Sequence, residues 1–203
     1  MVFNINISIE SLEGARRCAA QTTTGHILES VLIDAWVESG KTQLRVFASD
    51  SAVIGAYIHY VDDIPALPMQ NLRVAVPLPV VVRALALNEE NVIEFRLVDG
   101  FFSLGGVEFK PMEGIYPELE QYIPAENHTV KQDLPRFNSH LFARAESAFK
   151  AFYGKTENSL PFGSLTAFVE TDACVFHFGA GHAVVVIVPV SYVRYKYHGF
   201  FKG

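Results

Sequence analysis

His177 and His182 flank Gly179-Ala180-Gly181 and could face each other across a hairpin, as two ligands of a metal ion would. A metal site takes three or four ligands in fixed geometry, so two ordinary strand histidines are the better reading. Asp62-Asp63 and Glu89-Glu90 are acidic pairs in connecting segments, where solvated loops account for them. Asp50, in Ala48-Ser49-Asp50-Ser51, has the place of a turn residue whose carboxylate bonds local backbone. Cys18 and Cys174 lie far apart, form no CxxC and read as two reduced thiols. The Gly-Ala-Gly run lies between two expected strands and not at a helix N-terminus, so it does not cradle phosphate. No P-loop, no GxSxG, no HExxH and no paired-carboxylate signature occurs. The expectation is a binding scaffold with no catalytic residue, no metal and no cofactor.

The elements that position these residues follow from periodicity. Val2–Ile9 alternates apolar and polar residues, as a half-buried strand does, and Ser8 or Ser11 can cap a helix over Leu12–Ala20. Strands are expected at Leu28–Ser39, Gln43–Ser49 and Val53–Val61, then at Leu72–Val76. Pro77 and Pro79 open a short helix over Val80–Leu87. Val92–Val98 and Phe101–Phe109 flank an Asp99-Gly100 turn, and a proline-punctuated exit runs from Tyr116-Pro117 to Ile123-Pro124. Phe137–Tyr153 has the clearest helical period, with Phe137, Leu141, Ala145, Ala148, Phe149 and Phe152 on one face. Strands are expected at Leu165–Glu170, Ala173–Phe178 and Ala183–Val190. One plan of strand, helix and antiparallel strands thus recurs near 2–61, 72–110 and 137–190. The fold class is α+β, with antiparallel sheets and a few short helices.

Composition narrows the partners. Half of the residues are hydrophobic and 19% are charged, so the chain can bury a sizeable core. A net charge of −6 argues against a broad basic surface, though not against a local basic face on an acidic body. The longest apolar run, Ala183–Val190, is too short to span a bilayer, and Met1–Arg17 lacks a signal-peptide pattern. The chain reads as cytoplasmic, with no membrane partner.

Several segments stand in a recognisable order: Leu12-Glu13-Gly14-Ala15-Arg16-Arg17, Leu28–Ile33, Val46-Phe47-Ala48-Ser49-Asp50, Val76–Leu87 and Met112-Glu113-Gly114-Ile115-Tyr116-Pro117 to Pro124. In that order they resemble one domain of the bacterial DNA polymerase III beta-type sliding clamp, over residues 3 to 124. Residues 137 to 190 resemble the closing half of a clamp's last domain. The resemblance implies a clamp-like domain at 1–124 and a shortened second one at 125–203. Bacterial clamps have three such domains, and this chain has room for fewer than two full ones, which points to a phage or mobile-element protein. Ser51-Ala52-Val53-Ile54 also departs from the family's usual run after the aspartate turn.

The resemblance further implies a non-catalytic processivity factor that rings duplex DNA and tethers a DNA polymerase. A homo-oligomer is expected, with a trimer of two compact domains closing a six-domain ring. DNA contact falls by resemblance to Arg16, Arg17, Arg83, Arg144 and Lys150, all on the three expected helices, through phosphate contacts that carry no sequence information. A cleft for a clamp-binding peptide falls to Ser49, Ile54, Pro124, Val186, Val188 and Val190, although Val186, Val188 and Val190 alternate on one side of a strand and could equally face the core. One alternative is a clamp-fold protein that binds a replication partner without encircling DNA. Another is an unrelated α+β enzyme with a deep polar pocket.

Overall fold

The computed structural model of the chain describes residues 2–22, 24–38, 41–60, 71–118, 139–153, 164–167, 174–177 and 183–187. Two units of one build follow each other, and a third repeats their helix and the three strands after it. Unit A comprises β1 (Val2–Ser8), α1 (Ile9–Cys18), β2 (Ser30–Glu38), β3 (Lys41–Ser49) and β4 (Val53–Tyr60). Unit B comprises β5 (Asn71–Pro77), α2 (Leu78–Leu87), β6 (Val92–Val98), β7 (Phe101–Leu104) and β8 (Val107–Phe109). Unit C comprises α3 (Ser139–Phe152), β9 (Ser164–Ala167), β10 (Cys174–His177) and β11 (Ala183–Ile187). Units A and B have the recurring plan that the periodicity of the sequence predicts, and unit C has its helix and strands among the described residues.

Units A and B exchange their first strands. β1 pairs antiparallel with β6, and β5 with β2, which gives a four-stranded sheet β1-β6-β7-β8 and a seven-stranded sheet β5-β2-β3-β4-β11-β10-β9. The alternation in β1 sets the register. Phe3, Ile5 and Ile7 stand opposite Leu97, Phe95 and Ile93, and all six are buried. A slip of one residue would turn every one of them to solvent. Unit C joins the larger sheet through β11, whose Ala183–Ile187 pairs antiparallel with Tyr57–Val53 of β4.

Local chemistry starts and stops the elements. Ser8 caps α1: its Oγ accepts from the Ser11 amide at 3.2 Å, and the Ser11 hydroxyl donates to the Ser8 carbonyl at 2.8 Å. Strand β5 runs straight into α2, with a proline in the helix's first turn, where a missing amide hydrogen costs nothing. The expected run Phe101–Phe109 is two strands and not one. Gly105 and Gly106 have positive φ (54° and 77°) and turn the chain between β7 and β8, while the Gly105 amide donates to the Glu94 carbonyl at 2.8 Å. The expected connector with Asp62-Asp63 lies outside the described residues.

Helices α1 and α3 pack side by side on one face of the seven-stranded sheet, α1 over β3 and β4 and α3 over β4 and β11. Two glycines make that approach possible. The Phe152 ring lies where side chains at Gly14 and Gly55 would stand: a Cβ on Gly14 would come within 2.3 Å of it, and one on Gly55 within 3.1 Å. Gly55 also leaves room for the Cys18 sulfur, which would be 2.5 Å from an added Cβ. Phe152 is buried there and stacks on Tyr57 at 6.0 Å between centroids. A glycine inside a helix costs about 1 kcal/mol relative to alanine. Gly14 is retained against that cost because it admits the ring.

Gly14→Ala should therefore destabilise the protein, with overpacking of about 1–3 kcal/mol exceeding the helix-propensity gain. In a Phe152→Ala background the same substitution should be neutral or stabilising. Urea unfolding of the four chains of this double-mutant cycle measures the coupling, and additive effects would refute the notch.

Candidate functional site

The five cations expected at DNA all lie on the helices, but the helices hold them differently. Arg16 forms a forked pair with its neighbour, its Nε and Nη2 donating to the two carboxylate oxygens of Glu13 at 2.7 and 2.5 Å. Arg17 also donates to Glu13, at 3.0 Å, and reaches across to the Ser147 hydroxyl of α3 at 2.5 Å. Lys150 pairs with Glu146 one turn back at 2.7 Å, and Arg83 is exposed on α2. The Glu13 and Glu146 pairs join residues three and four apart, which share a helix face, whereas Arg17 and Ser147 meet only through the packing of α1 on α3. Across the three helices, five cations stand against the carboxylates of Glu10, Glu13 and Glu146. The helix layer is thus only mildly positive. Glu13 itself is half-buried; burial raises its carboxyl, but the Arg16 and Arg17 guanidinium groups outweigh that and hold it below the ordinary range.

Arg144 is placed differently from the other four. Its Nη1 donates to the Asp50 carboxylate, its Nε to the Arg17 carbonyl at 3.0 Å, and its Nη2 to the Cys18 and Ala19 carbonyls at 3.0 and 2.8 Å. One planar guanidinium therefore closes the C-terminal end of α1, where carbonyl oxygens have no helical partner. Asp50 serves two ends. Its Oδ1 accepts from the amides of Ala52 and Val53 at 3.0 and 2.8 Å, as expected of a turn residue. Its Oδ2 takes Arg144, which the sequence reading missed because 94 residues separate the two. Cys18 lies beneath this junction, fully buried and free of any disulfide, and burial pushes its thiol up to about 12. The thiol is therefore neutral and unreactive.

The opposite face of the seven-stranded sheet gathers three of the expected cleft residues. Ile54 stands across from Ser49 on one side and from Val186 on the other, and all three are fully buried. Ile54 and Val186 belong to a second, smaller core with Leu32, Phe47, Ala56, Ala75 and Tyr116, against which Ile27, Leu28, Met112 and Val184 pack. Pro124, Val188 and Val190 lie outside the described residues. The segment after β8 crosses this face, held where the Met112 amide donates to the Ala75 carbonyl at 2.9 Å. Tyr116 is only 6% exposed and meets Phe47 edge-on at 5.3 Å. Its burial raises the phenol above its usual range. Within this chain the three residues thus lie under its own exit segment.

The loop from α1 to β2 is organised by one carboxylate. Glu29 accepts from the Thr22 hydroxyl at 2.5 Å, the Thr24 hydroxyl at 2.7 Å and the Thr24 and Gly25 amides at 2.8 and 3.0 Å. These bonds, the Thr22 hydroxyl first, lower its carboxyl to about 2. Among the described residues no group of three or more metal-ligating side chains comes together. His177 is in β10, and His182 lies outside the described residues.

Solved structures share this architecture. A Helicobacter pylori beta clamp in complex with diflunisal superposes with a TM-score of 0.69 at 12% identity, covering 94% of this chain and 66% of that one. The Helicobacter pylori beta clamp bound to a DNA ligase peptide gives 0.67 at 13% identity, with the same shares. The DNA polymerase sliding clamp of Caulobacter crescentus gives 0.61 at 13% identity, covering 93% of this chain and 66% of that one. The chain spans 66% of the length of these clamps. No protein-family model and no curated protein matches the sequence. At these identities the likeness establishes the fold: the chain folds as bacterial DNA polymerase III beta sliding clamps do.

If Arg144 holds the seam, Arg144→Ala should lower stability by about 1.5–3 kcal/mol or more, the range for hydrogen bonds to a charged group. Arg144→Lys should recover only part of that, because an ammonium cannot reproduce the fork. Thermal unfolding without DNA measures both, and unchanged stability would return Arg144 to a purely surface role. A second outcome concerns pH. A depressed carboxyl contributes stability that is present above its unfolded value of about 4.5 and lost as pH falls through about 2. Protection of the Thr24 and Gly25 amides, taken relative to the intrinsic exchange rate at each pH, should therefore fall across that window in the wild type and be insensitive to it in Glu29→Gln.

Proposed function

We propose that this chain is a non-catalytic subunit of a ring that encloses duplex DNA and tethers a polymerase or another replication enzyme. One observation carries the reading: the sheet runs unbroken from unit A into unit C while α1 and α3 lie side by side on one of its faces. A wall of continuous sheet lined by adjacent helices is what a closed ring around a duplex requires. Arg16, Arg17, Arg83 and Lys150 supply the phosphate contacts, with Arg144 holding the helices that carry them. Because acids accompany these cations, the contacts are few, exchangeable and salt-sensitive, which suits sliding more than gripping. Ser49, Ile54 and Val186, with Pro124, Val188 and Val190, form the apolar cleft for a partner peptide. A peptide partner is in keeping with the Helicobacter pylori beta clamp bound to a DNA ligase peptide. The chain acts in the cytoplasm as a homo-oligomer, and no helix among the described residues is long and apolar enough to cross a membrane.

A second reading has its own support. The mild charge of the helix layer and the burial of Tyr116 over the cleft residues also suit a clamp-fold protein that docks on a replication partner without enclosing DNA.

Retention on DNA separates the two. A ring should stay on nicked circular DNA and slide off after linearisation leaves free ends, once a loader or high protein concentration has placed it there. Arg83→Glu combined with Lys150→Glu should reduce retention without changing the assembly. Equal retention on circular and linear DNA, or none on either, would leave the second reading.

A further inference from the structure

Glu13 of α1 is a carboxylate on which two guanidinium groups converge. Its Oε2 accepts from Arg16 Nε at 2.7 Å. Its Oε1 accepts from Arg16 Nη2 at 2.5 Å and from Arg17 Nε at 3.0 Å, with Arg17 Nη2 at 2.8 Å. Two positive charges thus face one negative charge. Arg17 carries the cluster across to α3, where its Nη1 donates to the Ser147 hydroxyl at 2.5 Å. The other helix cations are held in other ways. Lys150 meets Glu146 one to one, Arg144 is taken up by carbonyls and Asp50, and α2, which carries Arg83, contains no acidic residue.

This arrangement has the form of an anion seat. The forked donors of an arginine match the oxygens of a carboxylate and of a phosphate alike. Ser147 adds a hydroxyl from the neighbouring helix, and a hydroxyl can donate while it accepts. The seat is reached from solvent, since the side chains of Arg16 and Arg17 are 29% and 40% exposed and that of Glu13 is 23% exposed. Ion pairs with this much access to water are weakly held, so one anion can replace another.

We propose that Glu13 is an internal competitor of the DNA backbone. Without DNA its carboxylate fills the seat that a phosphodiester takes between Arg16, Arg17 and Ser147 when a duplex lies along α1 and α3. The choice of anion rests on the reading of this layer as the DNA face, whereas the seat rests on its own geometry. A duplex gains the two arginines only by displacing Glu13, and the displaced carboxylate then stands beside the phosphate and repels it. Each contact is kept weak in this way, so Glu13 sets how readily the chain moves along the duplex. Its removal should therefore strengthen binding, the opposite of what the loss of a cation does.

Fluorescence anisotropy with a short blunt duplex, which needs no closed ring, tests this across a salt series. Glu13→Gln should bind about threefold tighter or more at low salt, and the slope of log K against log salt should steepen by about 1 to 2, since each further phosphate neutralised adds about 0.9. Glu113→Gln is the matched control. It removes the same charge and breaks the same kind of pair, Lys110 with Glu113 at 2.7 Å, on the segment after β8 and not on a helix. It should leave affinity and slope unchanged. The gain of Glu13→Gln should vanish once Arg16→Gln and Arg17→Gln are added. Unchanged affinity and slope in Glu13→Gln, an equal gain in Glu113→Gln, a gain that survives the loss of both arginines, or no binding by any of these chains would overturn the proposal. A Glu13→Gln chain that binds the short duplex more tightly, with neither protein retained on circular DNA, would uphold the seat and refute enclosure alone.

Discussion

The guanidinium of Arg144 is the interaction on which the arrangement of the helices depends. A helix that ends inside a protein leaves carbonyl oxygens without partners, and α1 ends against α3 and the turn between β3 and β4. Arg144 answers that demand with donors to the Arg17, Cys18 and Ala19 carbonyls and to Asp50. It thereby ties unit C to unit A at the same place where β11 joins β4. Phe152, about two turns further along α3, fills the hollow left by Gly14 and Gly55. Polar closure at one end of the seam and ring packing at the other hold α1 and α3 in a single layer.

That arrangement has an electrostatic consequence. A basic residue that satisfies carbonyls and a carboxylate within the fold has less to offer a phosphate. Arg16 is engaged by Glu13 and Lys150 by Glu146, so the layer presents its positive charge through pairs that can open. Exposed pairs of this kind contribute little to stability, typically under about 1 kcal/mol, and cost little to exchange for another anion. A surface built so binds a polyanion loosely and without preference for sequence. The net charge of −6 adds a general repulsion that keeps such contact dependent on geometry more than on attraction.

The two faces of the large sheet divide the remaining work. The helix-bearing face is closed by the main core, whereas the other carries a small core roofed by the exit segment, with Tyr116 set between Phe47 and the residues around Ile54. An aromatic ring with its hydroxyl toward the strand backbone seals apolar residues that would otherwise be exposed. The same residues are those proposed for a peptide cleft, so access to them depends on how firmly this segment is held, and the Met112 amide tethers it to the backbone of β5.

Periodicity in the sequence was enough to reveal the local elements. The alternation in β1, the apolar stripe of α3, the cap at Ser8 and the proline opening of α2 each follow from residues within one or two turns of each other. The order of strand, helix and strands repeats visibly for the same reason. One local signal was misread: Gly105-Gly106 turns the chain inside a run that alternation alone makes continuous. What the sequence could not declare are contacts between distant residues. The exchange of β1 and β5 between units, the pairing of β4 with β11, the meeting of Asp50 with Arg144 and the fit of Phe152 against two glycines each need a specific geometry between segments far apart in the chain. Side-chain type and short-range spacing determine which elements form and which face is apolar. Which apolar face meets which, and where a half-buried cation finds its carbonyls, is decided only when the whole core closes, because packing and hydrogen-bond satisfaction are properties of the assembled interior and not of any one segment.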